Sequence, residues 1–332
     1  MTVTPYAPTP FTTPVANPAM GGAGVPYPYI SVSEYAFAPT AMDTMSLVPS
    51  GESQDQIQSL ADTIQRASAW IDRFTMGMDA AAKGASLCAT TSVETDLVDV
   101  INGTLRLVCN YKPIIMVNGV NIGASMASMS PVSSSVQSLI RFGIRTIYVP
   151  LLPFPGRNGT LLNPTPAPIS IANHFVAVWS YVNGYPHTYL TEPITAGQQT
   201  CVVAPTDGGS GLLGIIPNVT QMTIRDGSLT ERFTVQSVSG TTITPTVPFT
   251  NAHALPTWPD FLPVTAMPAD IRDACIFATT FLIKTRGDNS IVLDELTEPK
   301  QVQKVAGDEW SDLTWAMHSL EPFRVRYKPG RR

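Results

Sequence analysis

The residue types that most often carry chemistry are sparse in this sequence and lack the spacing that a reactive site needs. The four histidines are His174, His187, His253 and His318. None has a second histidine or a carboxylate at the spacing of a metal site. A Ser-His-Asp triad assembles in space, so a hydrolase stays open as a hypothesis, although the sequence has no G-x-S-x-G turn. We expect no catalytic residue, no metal ligand and no enzyme activity.

Two further patterns imitate ligand sites without meeting their requirements. The fragment GGSGLLG matches the dinucleotide pattern G-x-G-x-x-G through Gly209, Gly211 and Gly214. That pattern requires a helix after the glycines, whereas Pro217 and β-branched residues follow here, so the fragment predicts a loop. Asp226 and Glu231 flank the turn in IRDGSLTER, but two acids offer too few oxygens for a hard cation. The sequence therefore predicts no cofactor.

Composition favours a protein that works through its contacts with other subunits. Charged residues make up 14% of the chain, against about 25% in ordinary globular proteins. The net charge is −5, so there is no global basic field for nucleic acid. Nothing resembles a signal peptide or a membrane span, so we expect synthesis in a reducing cytoplasm and no membrane partner. We expect reduced, buried thiols at Cys88, Cys109, Cys201 and Cys275.

Periodicity predicts helices near both ends and strands between them. Apolar residues recur at steps of three and four over residues 53–78, which is typical of one helix stripe. Residues 268–286 and 308–320 show the same period, with Gly287 and Pro322 as stops. Between them, strands alternate with Asn-Gly, Asp-Gly and Ser-Gly turns. We predict an α+β fold: a helical core, residues 53–85 and 263–322, with an inserted β-rich region at 86–262, of which 181–262 is a compact β-module.

The two ends of the chain are predicted to be extended. Residues 1–52 begin as a proline-rich arm without a charged side chain in the first thirty residues, and an unattached tail is the alternative. Its aromatic residues, and a tryptophan between prolines, are candidate contacts with a neighbour: Tyr6, Phe11, Tyr27, Tyr29 and Trp258. At the basic C-terminal end, residues 323–332, apolar and basic side chains alternate from Phe323 to Lys328, which predicts a strand able to join a partner's sheet edge. An edge strand within this chain is the alternative.

Four segments, in this order and spacing, resemble head-to-tail adaptor (connector) proteins of long-tailed bacteriophages, particularly those of actinobacterial hosts. They are SAWIDRFTMG, NGTLRLVCNYKPIIMVNGVNIG, the pair WSYVNGYPHTYLTEPITAG and MTIRDGSLTERFTVQSVSG, and MPADIRDACIFATTFLIKTRG, together spanning residues 53–290. The resemblance implies a virion protein that forms a ring of about twelve copies. It also implies partners: the portal protein, a head-tail stopper or tail terminator of the neck, and DNA that crosses the lumen without sequence-specific binding.

In that family a helical core forms the ring, and the C-terminus reaches toward the portal. The resemblance therefore implies portal docking by Phe323, Arg324, Val325, Arg326, Tyr327 and Lys328. The long proline-rich N-terminus and the loop at 153–168 depart from the family pattern. A carbohydrate- or cell-surface-binding β-protein of the tail tip is the alternative from another class, because a β-rich interior with tryptophans would also suit it.

Overall fold

Two antiparallel sheets and a cluster of helices make up the described part of the chain. The structure is a computed structural model that describes residues 28–40, 53–77, 79, 85–101, 103–150, 174–257, 260–285 and 309–325. Its helices are α1 Val32–Ala36, α2 Ser53–Met76, α3 Ser134–Gln137, α4 Ala269–Lys284 and α5 Glu309–Leu320. Its strands are β1 Thr90–Ile101, β2 Thr104–Val108, β3 Ile114–Gly123, β4 Ser130–Pro131, β5 Arg141–Phe142, β6 Thr146–Pro150, β7 His174–Asn183, β8 His187–Tyr189, β9 Cys201–Val202, β10 Gln221–Ile224, β11 Glu231–Ser239, β12 Thr242–Pro245 and β13 Pro263–Thr265.

The predicted fold class, a helical core with an inserted β-rich module, is wrong. The sheets are the main architecture, with seven strands in one and six in the other, and the described helices are fewer and shorter in total. The physical reason is the pairing of strands that lie far apart in sequence. Thr90 lies opposite Asn183 and Leu97 opposite Val176, so β1 pairs with β7 along most of its length.

The seven-stranded sheet has the order β4-β3-β7-β1-β2-β6-β5. Ile101 on β1 lies opposite Thr104 on β2, and Gly103 between them has the positive φ of 70° that the predicted tight turn requires. β3 pairs with β7 from Ile114 to Gly123, with two irregularities in its register. The inner face of this sheet is apolar and buried, with Trp179 and Leu105 among its largest side chains.

The six-stranded sheet has the order β8-β13-β10-β11-β12-β9. A turn joins β11 to β12 near the predicted Ser239-Gly240, but its two residues are Gly240, at φ 58°, and Thr241, because Ser239 still pairs with Thr242. The buried apolar side chains of this sheet and its loops form a second core, which includes Met222, Val235 and Phe249. The predicted module 181–262 corresponds to this sheet except at its ends, since 181–183 belong to β7 and β13 lies at 263–265.

The helices α2, α4 and α5 share a third core with α1. The predicted stripe of α2 is confirmed over its central turns, where Leu60, Ile64, Ala67 and Ile71 are buried. Ile57 is exposed at the first turn of that stripe. The α2 helix ends at Met76, before a glycine with positive φ. The α4 and α5 helices contribute inward residues such as Cys275, Phe281, Leu313 and Leu320.

Candidate functional site

The outer face of the seven-stranded sheet exposes large apolar side chains over five neighbouring strands. Directly opposed residues point to the same face, and Val93 lies opposite Ser180 while Trp179 faces the buried side. On the outer face, the exposed fractions are 66% for Val93, 62% for Leu97, 44% for Met116 and 41% for Tyr148. These side chains lie on β1, β3 and β6, and β7 adds half-buried valines between them. No other described element covers the four side chains.

This face differs from an ordinary solvated sheet face. An antiparallel sheet with one side in water usually alternates apolar residues inward with polar residues outward. Here β1 carries Val93 and Leu97 outward, with Thr91 and Thr95 beside them, while Glu94 points inward. Exposed apolar side chains grouped on one face of a sheet mark interaction sites. Arg106 on β2 and Arg141 on β5 both lie opposite Tyr148 and are exposed on the same face, so we expect an apolar contact surface with positive charge beside Tyr148.

Inside the sheet, the inward carboxylate of Glu94 is satisfied by neighbours. The hydroxyl of Tyr181 donates to Glu94, and the backbone N–H of Asn110 donates to Glu94 Oε1 at 2.8 Å. Burial, followed by the negative charge of Glu94, raises the pKa of Tyr181 far above its ordinary value. Tyr181 therefore stays a neutral donor, and the pair holds β1 and β7 in register beneath the apolar face.

The described part of the predicted docking strand packs against its own chain. Phe323 is the last residue of a 3-10 turn that follows α5, and its ring meets Tyr185 edge to face at 6.1 Å. The N–H of Val325 donates to the carbonyl of Thr75 at 2.7 Å. Arg324 stacks on a ring of α2 at 4.8 Å and pairs with Glu321. The structure gives no strand to Arg324 or Val325. Arg326, Tyr327 and Lys328 lie outside the described residues.

Tyr29, predicted to contact a neighbouring subunit, lies in the core of its own chain. Its side chain is 3% exposed, and its hydroxyl donates to Asp72 on α2. The backbone N–H of Leu87 donates to the same carboxylate at 3.1 Å. Burial raises the pKa of Asp72 to about 8, while these hydrogen bonds oppose the shift. The other predicted contacts, Tyr6, Phe11, Tyr27 and Trp258, lie outside the described residues.

A histidine held between two carboxylates is a feature that the sequence did not reveal. His253 is 0% exposed, and its Nδ1 lies 2.8 Å from Asp226 Oδ2 while its Nε2 lies 3.6 Å from Glu231 Oε2. Glu231 also accepts hydrogen bonds from the N–H groups of Thr250 and Asn251. Burial opposes ionisation of Glu231, but these two bonds outweigh it and hold its pKa below the ordinary value. These contacts hold the loop 226–231 in place, and the buried imidazole ring of His253 does not reach solvent.

The other buried histidine also has a structural role. His187 is 2% exposed, and its Nε2 lies 2.9 Å from the carbonyl of Pro28, to which it must donate. Burial lowers the pKa of His187 to about 4, so the ring is neutral at ordinary pH. Its ring meets Tyr29 edge to face at 6.0 Å. This pair fixes the start of the described N-terminal segment on β8.

The described residues give neither a metal site nor a membrane-spanning helix, and their four cysteines form no disulfide. No group of three or more His, Cys, Asp or Glu side chains there is placed to hold a metal ion. Among the described helices, none combines the length and hydropathy that a membrane span requires. The four cysteines are buried and free, as predicted.

Comparison with known proteins leaves the family open. No protein-family model matches the chain, and no curated protein matches it. One solved structure to which the chain is similar is described as that of A223, a turret protein in Sulfolobus turreted icosahedral virus. The identity is 12%, the match covers 53% of this chain and 97% of that chain, and the TM-score is 0.11. A similarity at that TM-score carries no argument about fold or function.

Proposed function

We propose that this protein is a structural subunit that assembles with copies of itself through the outer face of its seven-stranded sheet. The observation that carries the proposal is the exposure of Val93 and Leu97, at 66% and 62%, in the middle of a long central strand. Strands spaced about 4.8 Å apart, with about 3.3 Å per residue, give the five strands a face of roughly 600 Å². That is close to the roughly 800 Å² that each partner contributes to a stable interface.

The exposed side chains supply free energy that only association recovers. Fully burying a Val, Leu or Met side chain is worth about 1.5–3 kcal/mol. Since Val93 and Leu97 are about two-thirds exposed, each would recover about 1–2 kcal/mol in a contact that covers it. Together they supply about 2–4 kcal/mol, which corresponds to roughly a 30- to 700-fold change in the association constant.

We place this subunit, as a proposal, at the head-tail junction of a long-tailed bacteriophage, where it would join the portal to the neck as a ring. The support is the order of the four resembling segments and the low charge of 14%. The helical ring core that the resemblance implied does not fit a mostly β chain, so the proposed ring contacts use the sheet face instead. The net charge of −5 suits a channel that passes DNA without gripping it.

The test is a double substitution, Val93→Lys with Leu97→Lys, measured by sedimentation velocity across a range of protein concentrations. We expect the association constant to fall by at least roughly 30-fold, because two apolar contacts are lost and two charges must be desolvated. The matched control is Val247→Lys, which alters a valine of similar exposure, 68%, next to the other sheet. Circular dichroism confirms that each variant is folded.

Two results would refute this proposal. One is a wild-type chain that stays monomeric at every concentration, alone and with portal protein. The other is a double variant that associates as tightly as the Val247→Lys control.

A further inference from the structure

A cleft of about 340 Å³ lies between α1, the loop joining β10 to β11, and α4. Three parts of the chain far apart in sequence build it, through Glu34 and Phe37, Arg225 and Ser228, and Arg272. Its size is at the lower end of the range for small-ligand sites, about 300–1,000 Å³. The cleft is therefore large enough for one or two side chains of a bound peptide.

Arg225 brings a positive charge to the cleft. The backbone N–H of Arg225 donates to Pro263, but its Nε atom is buried and makes no hydrogen bond in the described part of the chain. Burial lowers the pKa of Arg225, and the charge of Glu34 opposes that shift. Arg225 is half-buried, but a buried charged donor such as its Nε costs free energy when it stays unpaired, so the site favours a partner.

The acids near Arg225 are already committed to other groups. Glu34 Oε1 accepts from Arg272 Nε at 2.8 Å, and Glu34 Oε2 accepts from the N–H of Ser31 at 3.3 Å. Asp273 accepts from Arg272 Nη1 at 3.1 Å. Arg272 is therefore surrounded by negative charge, whereas Arg225 retains its donors.

Phe37 forms the aromatic wall of the cleft, and Ser228 and Thr230 line it beside Glu34 and Arg272. Phe37, at the end of α1, is 77% exposed, and a Cβ placed on Gly227 would lie 3.6 Å from its ring. The loop behind Gly227 is fixed because Thr230 Oγ1 donates to the Gly227 carbonyl and accepts from the Asp226 N–H. His253 pins the same loop through Asp226. The loop wall is therefore preorganised, which reduces the entropy lost on binding.

We propose that this cleft binds an acidic side chain of a protein partner, with its carboxylate on Arg225 and a neighbouring aromatic side chain on Phe37. A guanidinium presents a planar fork that matches a carboxylate. The site is separate from the outer sheet face, so it does not depend on how copies of the chain associate.

The probe is the peptide acetyl-Gly-Asp-Phe-Gly-amide, titrated into the full chain and followed by NMR or calorimetry. We expect the matching Asn-Phe peptide to bind about tenfold more weakly or worse, because a charge-assisted contact becomes a neutral one. Arg225→Gln should lose the same factor for the Asp-Phe peptide. The matched control Arg232→Gln removes an exposed arginine of β11 that does not line the cleft and should bind like the wild type.

A second substitution keeps the proposal testable if Arg225→Gln is poorly folded. Because Phe37 is 77% exposed, Phe37→Ala should fold normally, and it should weaken binding of the Asp-Phe peptide but not of an Asp-Gly peptide. The proposal is overturned if the acidic and amide peptides bind equally, or if neither binds at about 10 mM. Acetate or phosphate binding as tightly as the peptide would also overturn it, because the cleft would then be a small-anion site.

Discussion

The buried carboxylate of Asp72 predicts an unusual dependence of stability on pH. Its pKa is about 8 in the folded chain, against 3.8 for an ordinary aspartate, because burial disfavours the charged form. Between pH 4 and pH 8 the folded chain keeps a proton that the unfolded chain releases. Stability therefore decreases as pH rises through this window, and the penalty at pH 7 has an upper limit of about 4 kcal/mol.

The substitution Asp72→Asn should remove that penalty and leave the local contacts in place. An amide oxygen can still accept from Tyr29 and from the N–H of Leu87, which donates to Asp72 at 3.1 Å. We expect the melting temperature of the variant to be several degrees above that of the wild type at pH 8 and only slightly above it at pH 4. The control is Asp62→Asn on the exposed side of the same helix. Parallel pH profiles for the wild type and Asp72→Asn would show that this reasoning is wrong.

Two further predictions concern the backbone at Gly184 and the C-terminus. Gly184→Ala should lower the free energy of unfolding, measured in urea, by about 1–3 kcal/mol more than Gly197→Ala does. Both glycines have positive φ, but of the two only Gly184 would place a Cβ against a backbone atom, 2.4 Å from the Cys88 carbonyl oxygen. Equal losses in the two variants would contradict this. Truncation after Val325 should leave the melting temperature unchanged but abolish co-elution with portal protein. Truncation before Phe323 should also lower the melting temperature, because it removes the hydrogen bond from Val325 to Thr75. Normal portal binding by the chain truncated after Val325 would refute the docking assignment.

Local patterns in the sequence were sufficient to predict individual helices, strands and turns. The Asn102-Gly103 turn and the stripe of α2 depend on residues within a few positions of each other, so both were predictable. The exposed face of β1 was not, because alternation shows that a strand has two faces but not which face another element covers. Val98 is buried at 5% while its neighbour Leu97 is 62% exposed.

Features made by distant residues could not be read from the sequence. The pairing of β1 with β7 joins segments about eighty residues apart, and missing it led to the wrong fold class. The burial of Tyr29 depends on Asp72, which lies 43 positions away, so no local pattern indicates it. His253 and Asp226 are 27 positions apart, with no spacing pattern between them that could be recognised.

The most direct test of self-association through the outer face is electron cryomicroscopy of the full chain, purified with its portal protein. We predict a closed ring in which Val93, Leu97 and Met116 are buried between neighbouring copies. A chain that remains monomeric beside the portal would contradict the account, as would a ring in which these three side chains stay exposed to solvent.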